Sequence, residues 1–246
     1  MAKFDYTGTP MTPRKSDDEQ LEAAGGRRGG QAPLVEADFE RARERLVHDH
    51  LEGRFNEISD PRVLAAMRTV PRHAFVPSNS IGMAYADQPL PVGHGQTISQ
   101  PSLVALMCQE LRLGPADTVL EIGTGSGYHA AVLSLLVDQV YTMEIIPELT
   151  EEAVLTFRRL RYRNIHCRVG DGHYGWPENA PYQGIIVTCA PYRVPQALVD
   201  QLTDGGRLVI PVEEFGQQSL YLLRKSDHQI SREALVPVRF VPMTHG

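Results

Sequence analysis

Apolar and polar positions divide the chain into three stretches of different character. Residues 1–36 hold few apolar residues and no period, and they include the run Gly25-Gly26-Arg27-Arg28-Gly29-Gly30. Such a segment cannot bury enough surface to offset its ordering entropy, so a disordered tail is expected. From Asp38 to about Leu51 a helical period sets in, with Phe39, Ala42, Leu46 and His50 on one face. Ser59-Asp60-Pro61 opens a second helix over Val63–Val70, which Pro71 ends. Arg72–Pro77 is an irregular link. Tyr85–Pro101 is too rich in Pro and Gly for a regular element. A helix over Pro101–Leu111 follows, with Leu103, Leu106 and Met107 as its apolar side.

The third stretch alternates. Short apolar runs at Val119–Ile122, Val140–Glu144, Ile165–Val169 and Gln183–Thr188 are separated by helical patterns at Tyr128–Val137, Pro147–Arg161 and Pro195–Leu202. Strand-helix alternation predicts a parallel sheet covered on both faces. Arg207–Val212, Ser219–Leu223 and Ala234–Phe240 then read as strands with little helix between them, which predicts antiparallel strands late in the sheet. The fold class is therefore α/β: a doubly wound, Rossmann-like sheet, mostly parallel, with a small N-terminal helical cap.

Composition narrows the function classes. Hydrophobic residues make up 42% and charged residues 22% of 246, which is ordinary globular usage. The net charge of -6 argues against general affinity for nucleic acid. Cys108, Cys167 and Cys189 are scattered and odd in number, as in a reducing compartment. No apolar signal core and no membrane span is found, so a cytoplasmic protein without membrane contact is expected; a monomer is also expected, though no sequence feature decides it.

The candidate chemistry centres on Glu121-Ile122-Gly123-Thr124-Gly125-Ser126-Gly127-Tyr128. A strand, a glycine turn and a helix open a nucleotide-binding α/β unit. Glycines let a ligand approach the backbone, and free N–H groups at the helix start add a positive end. The spacing is G-x-G-x-G after an acid, whereas a dinucleotide site wants G-x-G-x-x-G, and Tyr128 stands at the last place of that pattern. Glu144 ends the next strand about 20 residues on, where an acid can accept both ribose hydroxyls. Gly170-Asp171-Gly172 ends the third strand, at the edge where ligands of such sheets gather. The loop before Pro101 brings Thr97, Ser99 and Gln100 to a helix N-terminus, a place suited to an anion. Ser99 there is read as a helix cap, a substrate group, or both. His48-Asp49-His50 does not read as a metal site, because i and i+2 point to different helix faces.

These segments together resemble the protein-L-isoaspartate O-methyltransferase family. The resemblance rests on Leu90–Pro101, Leu120–Tyr128, Gly170–Gly172 with Gly175-Trp176-Pro177, Ile185–Pro191, Leu202–Val212 and Val241–Thr244, and covers roughly residues 38–244. The glycine motif is common to many methyltransferases that use S-adenosylmethionine; the Gly93-His94-Gly95-Gln96-Thr97-Ile98-Ser99-Gln100-Pro101 loop is far more specific. The resemblance implies a methyltransferase domain over 37–246, with a helical cap and substrate loop at 37–100 and a cofactor-binding core at 101–246. It implies S-adenosyl-L-methionine as cofactor and isoaspartyl proteins and peptides as partners. It implies Ser99 as the active-site residue, and Thr97, Ile98, Glu121, Gly123, Gly125, Glu144, Asp171 and Gly172 on the cofactor. Gln100 and Thr244, with Ser99, are implied on the substrate side. The tail before residue 37 lies outside the family pattern.

The implied reaction suits the residues. A carboxylate is already ionised at neutral pH, so no general base is needed to make the nucleophile. The protein has to align the reactants and desolvate the carboxylate. Three other readings stay open on sequence alone: methylation of aspartates in a dedicated peptide, a non-catalytic S-adenosylmethionine-binding module, and a nicotinamide dehydrogenase.

Overall fold

The computed structural model describes residues 35–52, 58–227 and 229–245. The expected tail thus falls outside the described residues up to position 34. Helix α1 (Glu36–Leu46) runs into a π-helical turn, Val47–Leu51, and buries Leu46, Val47 and Leu51. His50, expected on the apolar face, is exposed, because the wider turn rotates the buried stripe onto Val47 and Leu51. Helix α2 (Pro61–Thr69) starts as expected: the Asp60 carboxylate accepts from the N–H groups of Arg62 and Val63.

The Pro- and Gly-rich segment does contain a regular element. Strands β1 (Leu90–Gly93) and β2 (Gln96–Ile98) pair antiparallel, joined by Gly93, His94 and Gly95, all at positive φ. Helix α3 (Pro101–Leu111) buries Val104, Met107, Cys108 and Leu111, while Leu103 and Leu106 are only partly buried.

The rest alternates as read: β3 (Thr118–Ile122), α4 (Tyr128–Leu133), β4 (Gln139–Glu144), α5 (Pro147–Arg159), β5 (Ile165–Val169), β6 (Tyr182–Val187), α6 (Gln196–Asp200), β7 (Leu202–Glu214), β8 (Gln217–Ser226) and β9 (Gln229–Pro237). The seven-stranded sheet has the order β5-β4-β3-β6-β7-β8-β9, parallel through β7 and antiparallel from there. Several elements differ from the sequence reading in their bounds, and β9 spans Gln229–Pro237 where Ala234–Phe240 was expected. Helix α4 ends at Leu133, short of Val137, and the chain finishes in turns. Strand β7 begins at Leu202, and its register on β6 jumps from Tyr182↔Leu202 to Gly184↔Arg207, so Thr203–Gly206 bulge out of the ladder.

Alternate residues of the central strands enter two separate cores. Val119, Val140, Ile186 and Val209 pack with α2, α3, α4 and α5; Leu120, Ile122, Ile185 and Leu208 pack with α6. This is why those runs are apolar without alternation: both faces are covered. The strand order reverses beside β3, and the carboxyl ends of β3, β4 and β6 there form the crevice that such sheets use for ligands.

Candidate active site

A pocket of about 210 Å³ opens at that crevice. Of the residues predicted for a cofactor, Thr97, Ile98, Gly123, Gly125, Glu144 and Gly172 line it, with Ser99 and Thr244. Gln100 lines a second, neighbouring pocket of about 560 Å³. Thr97, Ser99, Thr188 and Val241 belong to both. The half-buried Ser99 therefore stands at the junction of two cavities.

The glycine turn is built differently from an anion cradle. The N–H groups of Gly123 and Thr124 donate to Met143 O, at 2.8 and 3.1 Å, and that of Gly127 donates to Thr124 O at 2.8 Å. The Gly125 N–H donates to Glu144 Oε2 at 2.9 Å, and Glu144 Oε1 accepts from Ile145 and Ile146. The amides of Gly123, Thr124, Gly125 and Gly127 are thus used inside the protein, and one faces a carboxylate. A pyrophosphate would find few donors there and a repelling charge, which counts against a dinucleotide. A cationic or neutral nucleoside ligand meets no such obstacle.

Two glycines shape the turn. At Gly123, with φ +96°, a Cβ would come within 2.3 Å of Thr188 Oγ1, whose hydroxyl donates to Gly123 O at 2.7 Å. At Gly125, with φ +51°, a Cβ would meet nothing within 4 Å. The space left open there, with the acid of β4 beside it, lets a ligand approach the backbone.

Glu121 and Asp171 line neither pocket. Glu121 is fully buried beneath the turn; Thr142 Oγ1 donates to its Oε2 at 2.6 Å, and Thr124 Oγ1 lies 2.6 Å from Thr142 Oγ1. Burial pushes its carboxyl up to about 8, and Oε1 has no partner. It supports the turn from behind. The Asp171 carboxylate accepts from the His173 N–H at 2.9 Å, and lies 2.8 Å from His173 Nδ1 and 3.0 Å from His245 Nδ1. Burial would raise its carboxyl, but the bonds from His173 and His245 outweigh that and hold it at about 2.

On the other side, Ser99 Oγ makes no hydrogen bond among the described residues. It is not the cap of α3. That position is Gln100, whose side chain donates to Ser102 Oγ at 2.8 Å, while Asp87 Oδ1 accepts the Ser102 N–H at 2.8 Å. The segment leading to β1 is held by Arg72, fully buried, whose guanidinium donates to Ala84 O and Gln88 O and lies 4.8 Å over the Tyr128 ring.

Sequence reading missed several lining residues. Ile145 and Ile146 follow Glu144, and apolar residues at a strand's carboxyl end were a usable signal. Thr188 and Val241–Met243 lie in segments that carry the resemblance, but nothing local placed them at the pocket, which the C-terminal segment reaches beside a parallel bridge, Ala190↔Pro242. His129 was also unforeseen. It lines the pocket at 6% exposure, its Nδ1 has no partner, and burial pushes it down to about 3, so it is neutral.

Residues 41–246 match the model of a family described as protein-L-isoaspartate(D-aspartate) O-methyltransferase. A protein-L-isoaspartate O-methyltransferase of Opitutus terrae is 51% identical over 213 residues, 85% of this chain and 91% of that protein. Protein-L-isoaspartate O-methyltransferase 1 of Cupriavidus necator is 55% identical over 186 residues, 75% of this chain and 72% of that protein. A solved protein-L-isoaspartate O-methyltransferase, 32% identical, superposes with a TM-score of 0.75 over 81% of this chain, which spans 65% of that one. The fold is shared with a protein from Plasmodium falciparum solved with S-adenosyl-L-homocysteine, at a TM-score of 0.73 and 24% identity over 85% of this chain and 99% of that one.

Proposed function

The chain belongs to the protein-L-isoaspartate(D-aspartate) O-methyltransferase family, and from that premise we propose how its residues transfer a methyl group to the free carboxylate of isoaspartyl residues in damaged proteins. When bound, S-adenosyl-L-methionine supplies an electrophilic methyl on a sulfonium sulfur. Gly123, Gly125 and Glu144 would hold it, with Thr97, Ile98, Gly172 and Thr244 around it; Glu121 supports the turn from below, and Asp171 supports the adenine side.

The observation that carries the substrate assignment is Ser99, unbonded, at the junction of the two pockets. The isoaspartyl side comes from the larger pocket, past Gln100. Ser99 Oγ–H donates to one carboxylate oxygen as the group leaves water, so desolvation does not leave it unpaired. The other carboxylate oxygen, left free by Ser99, would accept the methyl group that bound S-adenosyl-L-methionine supplies, its sulfonium leaving as a neutral thioether with the bonding pair. No proton moves, so no base is required. The resulting methyl ester closes to a succinimide as the neighbouring amide nitrogen displaces methanol, and water opens that ring partly to normal aspartate.

A monomeric, cytoplasmic enzyme belongs to the same proposal, supported by three free cysteines, and so does the absence of membrane and nucleic-acid partners. No helix among the described residues is long and apolar enough to cross a membrane. The test is transfer of labelled methyl to an isoaspartyl peptide and to its aspartyl twin. Base-labile label on the first alone is expected. Equal labelling of both would replace this reading with a general aspartate methyltransferase, and labelling of neither would remove it.

A further inference from the structure

The larger pocket beside Ser99, through which the peptide enters in the function proposed above, has an almost uncharged lining. Pro89, Gln100, Leu103 and Leu106 contribute to it, and the segment that ends β9 and leads to the C-terminus supplies Val236–Val241. Among the described residues, Arg239 is the one charged group that lines it. Asp87, which accepts the Ser102 N–H, does not line the cavity.

The local sequence explains why this side chain stands out. Val238 and Phe240 pack against the core, while Arg239 between them is exposed. The backbone on both sides of it is pinned to one residue of β8. Val238 N–H donates to Gln218 O at 3.0 Å, Phe240 N–H donates to Gln218 Oε1 at 2.6 Å, and Gln218 Nε2 donates to Phe240 O at 3.2 Å. Arginines of the neighbouring strands are engaged: Arg224 pairs with Glu233 at 2.7 Å and Arg232 with Glu214 at 2.8 Å. The Arg239 guanidinium has no hydrogen-bond or ion-pair partner among the described residues. It is a free cation on a fixed base, at the cavity that Ser99 and Gln100 share.

We propose that Arg239 is a specificity-determining residue of the substrate side, whose guanidinium pairs with the carboxylate of an acidic side chain adjacent to the isoaspartyl residue, so that sites flanked by Asp or Glu are preferred.

This assignment rests on the methyl-transfer reading and deepens it. The reacting carboxylate is not the partner of Arg239. That group lies at the junction of the two pockets, whereas Arg239 lines only the larger one. One oxygen of the reacting group must also stay free to accept the methyl, and a guanidinium fork tends to grip both oxygens of a carboxylate. The partner is then a second anion on the same peptide, and an acidic side chain is ionised at neutral pH. The chain as a whole carries a net charge of -6, which disfavours an acidic peptide, so an unpaired cation at the cavity sets the preference locally. Because Arg239 is exposed, the pair confers a preference and not an absolute requirement.

The test compares kcat/KM for isoaspartyl peptides that differ only in the adjacent residue, Glu, Gln or Lys, placed on the amino or the carboxyl side. The wild type should favour Glu over Gln on one side by roughly 5-fold, the upper end for an exposed ion pair, with the difference carried by KM and shrinking as salt is added. Arg239→Gln should abolish the preference, Arg239→Lys should keep part of it, and Arg239→Glu should turn it toward Lys. Arg45→Glu, on the exposed side of α1, makes the same change in net charge and should keep the wild-type order. Methyl transfer indifferent to the neighbour in the wild type, a Glu preference that survives in Arg239→Glu, or an equal change in Arg45→Glu would overturn the assignment and leave the methyl-transfer reading standing. Failure of the wild type to label any of the peptides would overturn that reading, and this assignment with it.

Discussion

The two halves of the active site are built on opposite principles. On the glycine-turn side, the backbone of the turn is satisfied within the protein: Gly123, Thr124, Gly125 and Gly127 N–H all have partners and Glu144 accepts three backbone bonds, while Glu121 Oε1 beneath the turn and His129 Nδ1 have none. On the loop side, Ser99 has no partner among the described residues and Thr97 is exposed. The first half is set before a ligand arrives, which keeps the ordering cost of binding low. The second leaves a donor open at the point where a carboxylate must lose water. A transferase with a charged, already reactive nucleophile needs a rigid seat for one reactant and an unfilled donor for the other.

The comparison breaks most severely at Gly123. Gly123→Ala forces a side chain to φ +96° with its Cβ 2.3 Å from Thr188 Oγ1. Backbone strain and overpacking together should cost about 3 kcal/mol or more, seen in chemical denaturation, and cofactor binding should be lost. Adding Thr188→Ala should recover only the packing part; full recovery would mean that the positive φ is unimportant.

Glu144→Ala attacks the same half more gently. It removes the acceptor of three backbone N–H groups and, on the proposed reading, of the ribose hydroxyls, with each charge-assisted bond worth about 1.5–3 kcal/mol. The dissociation constant for S-adenosylmethionine, measured by calorimetry, should rise accordingly, and an unchanged constant would take Glu144 out of the site. A smaller effect is expected under the turn. Glu121 is raised from 4.5 to about 8, so the folded state binds its proton more tightly than the unfolded state does. Its contribution is complete below pH 4.5 and lost as pH rises to about 8. Glu121→Gln should flatten that decline in a pH series of melting curves; an unaltered slope would contradict a buried, raised carboxyl. The smallest effect is expected outside both halves: a chain starting at Val35 should keep melting temperature and turnover, because the family match begins only at residue 41. A large loss in either would give the tail a role.

Much of the rigid half was legible in the sequence, because strand, glycine turn and strand-end acid are local signals with fixed spacing. The Leu90–Pro101 segment was legible as chemistry but not as structure. Its prolines and glycines hid a hairpin whose turn, Gly93-His94-Gly95, uses the left-handed backbone at all three positions. The apolar side of α3 was misplaced onto Leu103 and Leu106, since a helix apolar over most of its surface gives no clear period. Arg72 was not legible, and for Thr188 and the C-terminal wall only the family resemblance, with its Thr244, gave a sign. Each depends on a contact between distant segments, such as the Thr188 hydroxyl on Gly123 O or the Ala190↔Pro242 bridge. The composition of one segment does not encode such a pairing.

The division between the two halves is tested most directly by Ser99→Ala, with S-adenosylmethionine affinity and turnover on an isoaspartyl peptide measured on the same preparation. The account predicts a near-normal dissociation constant and a turnover reduced by about 2–4 kcal/mol of transition-state stabilisation, the loss of one donor at a developing site. Melting should be unchanged, since Ser99 caps no helix. Turnover close to wild type, or a loss of affinity as large as the loss of rate, would contradict it.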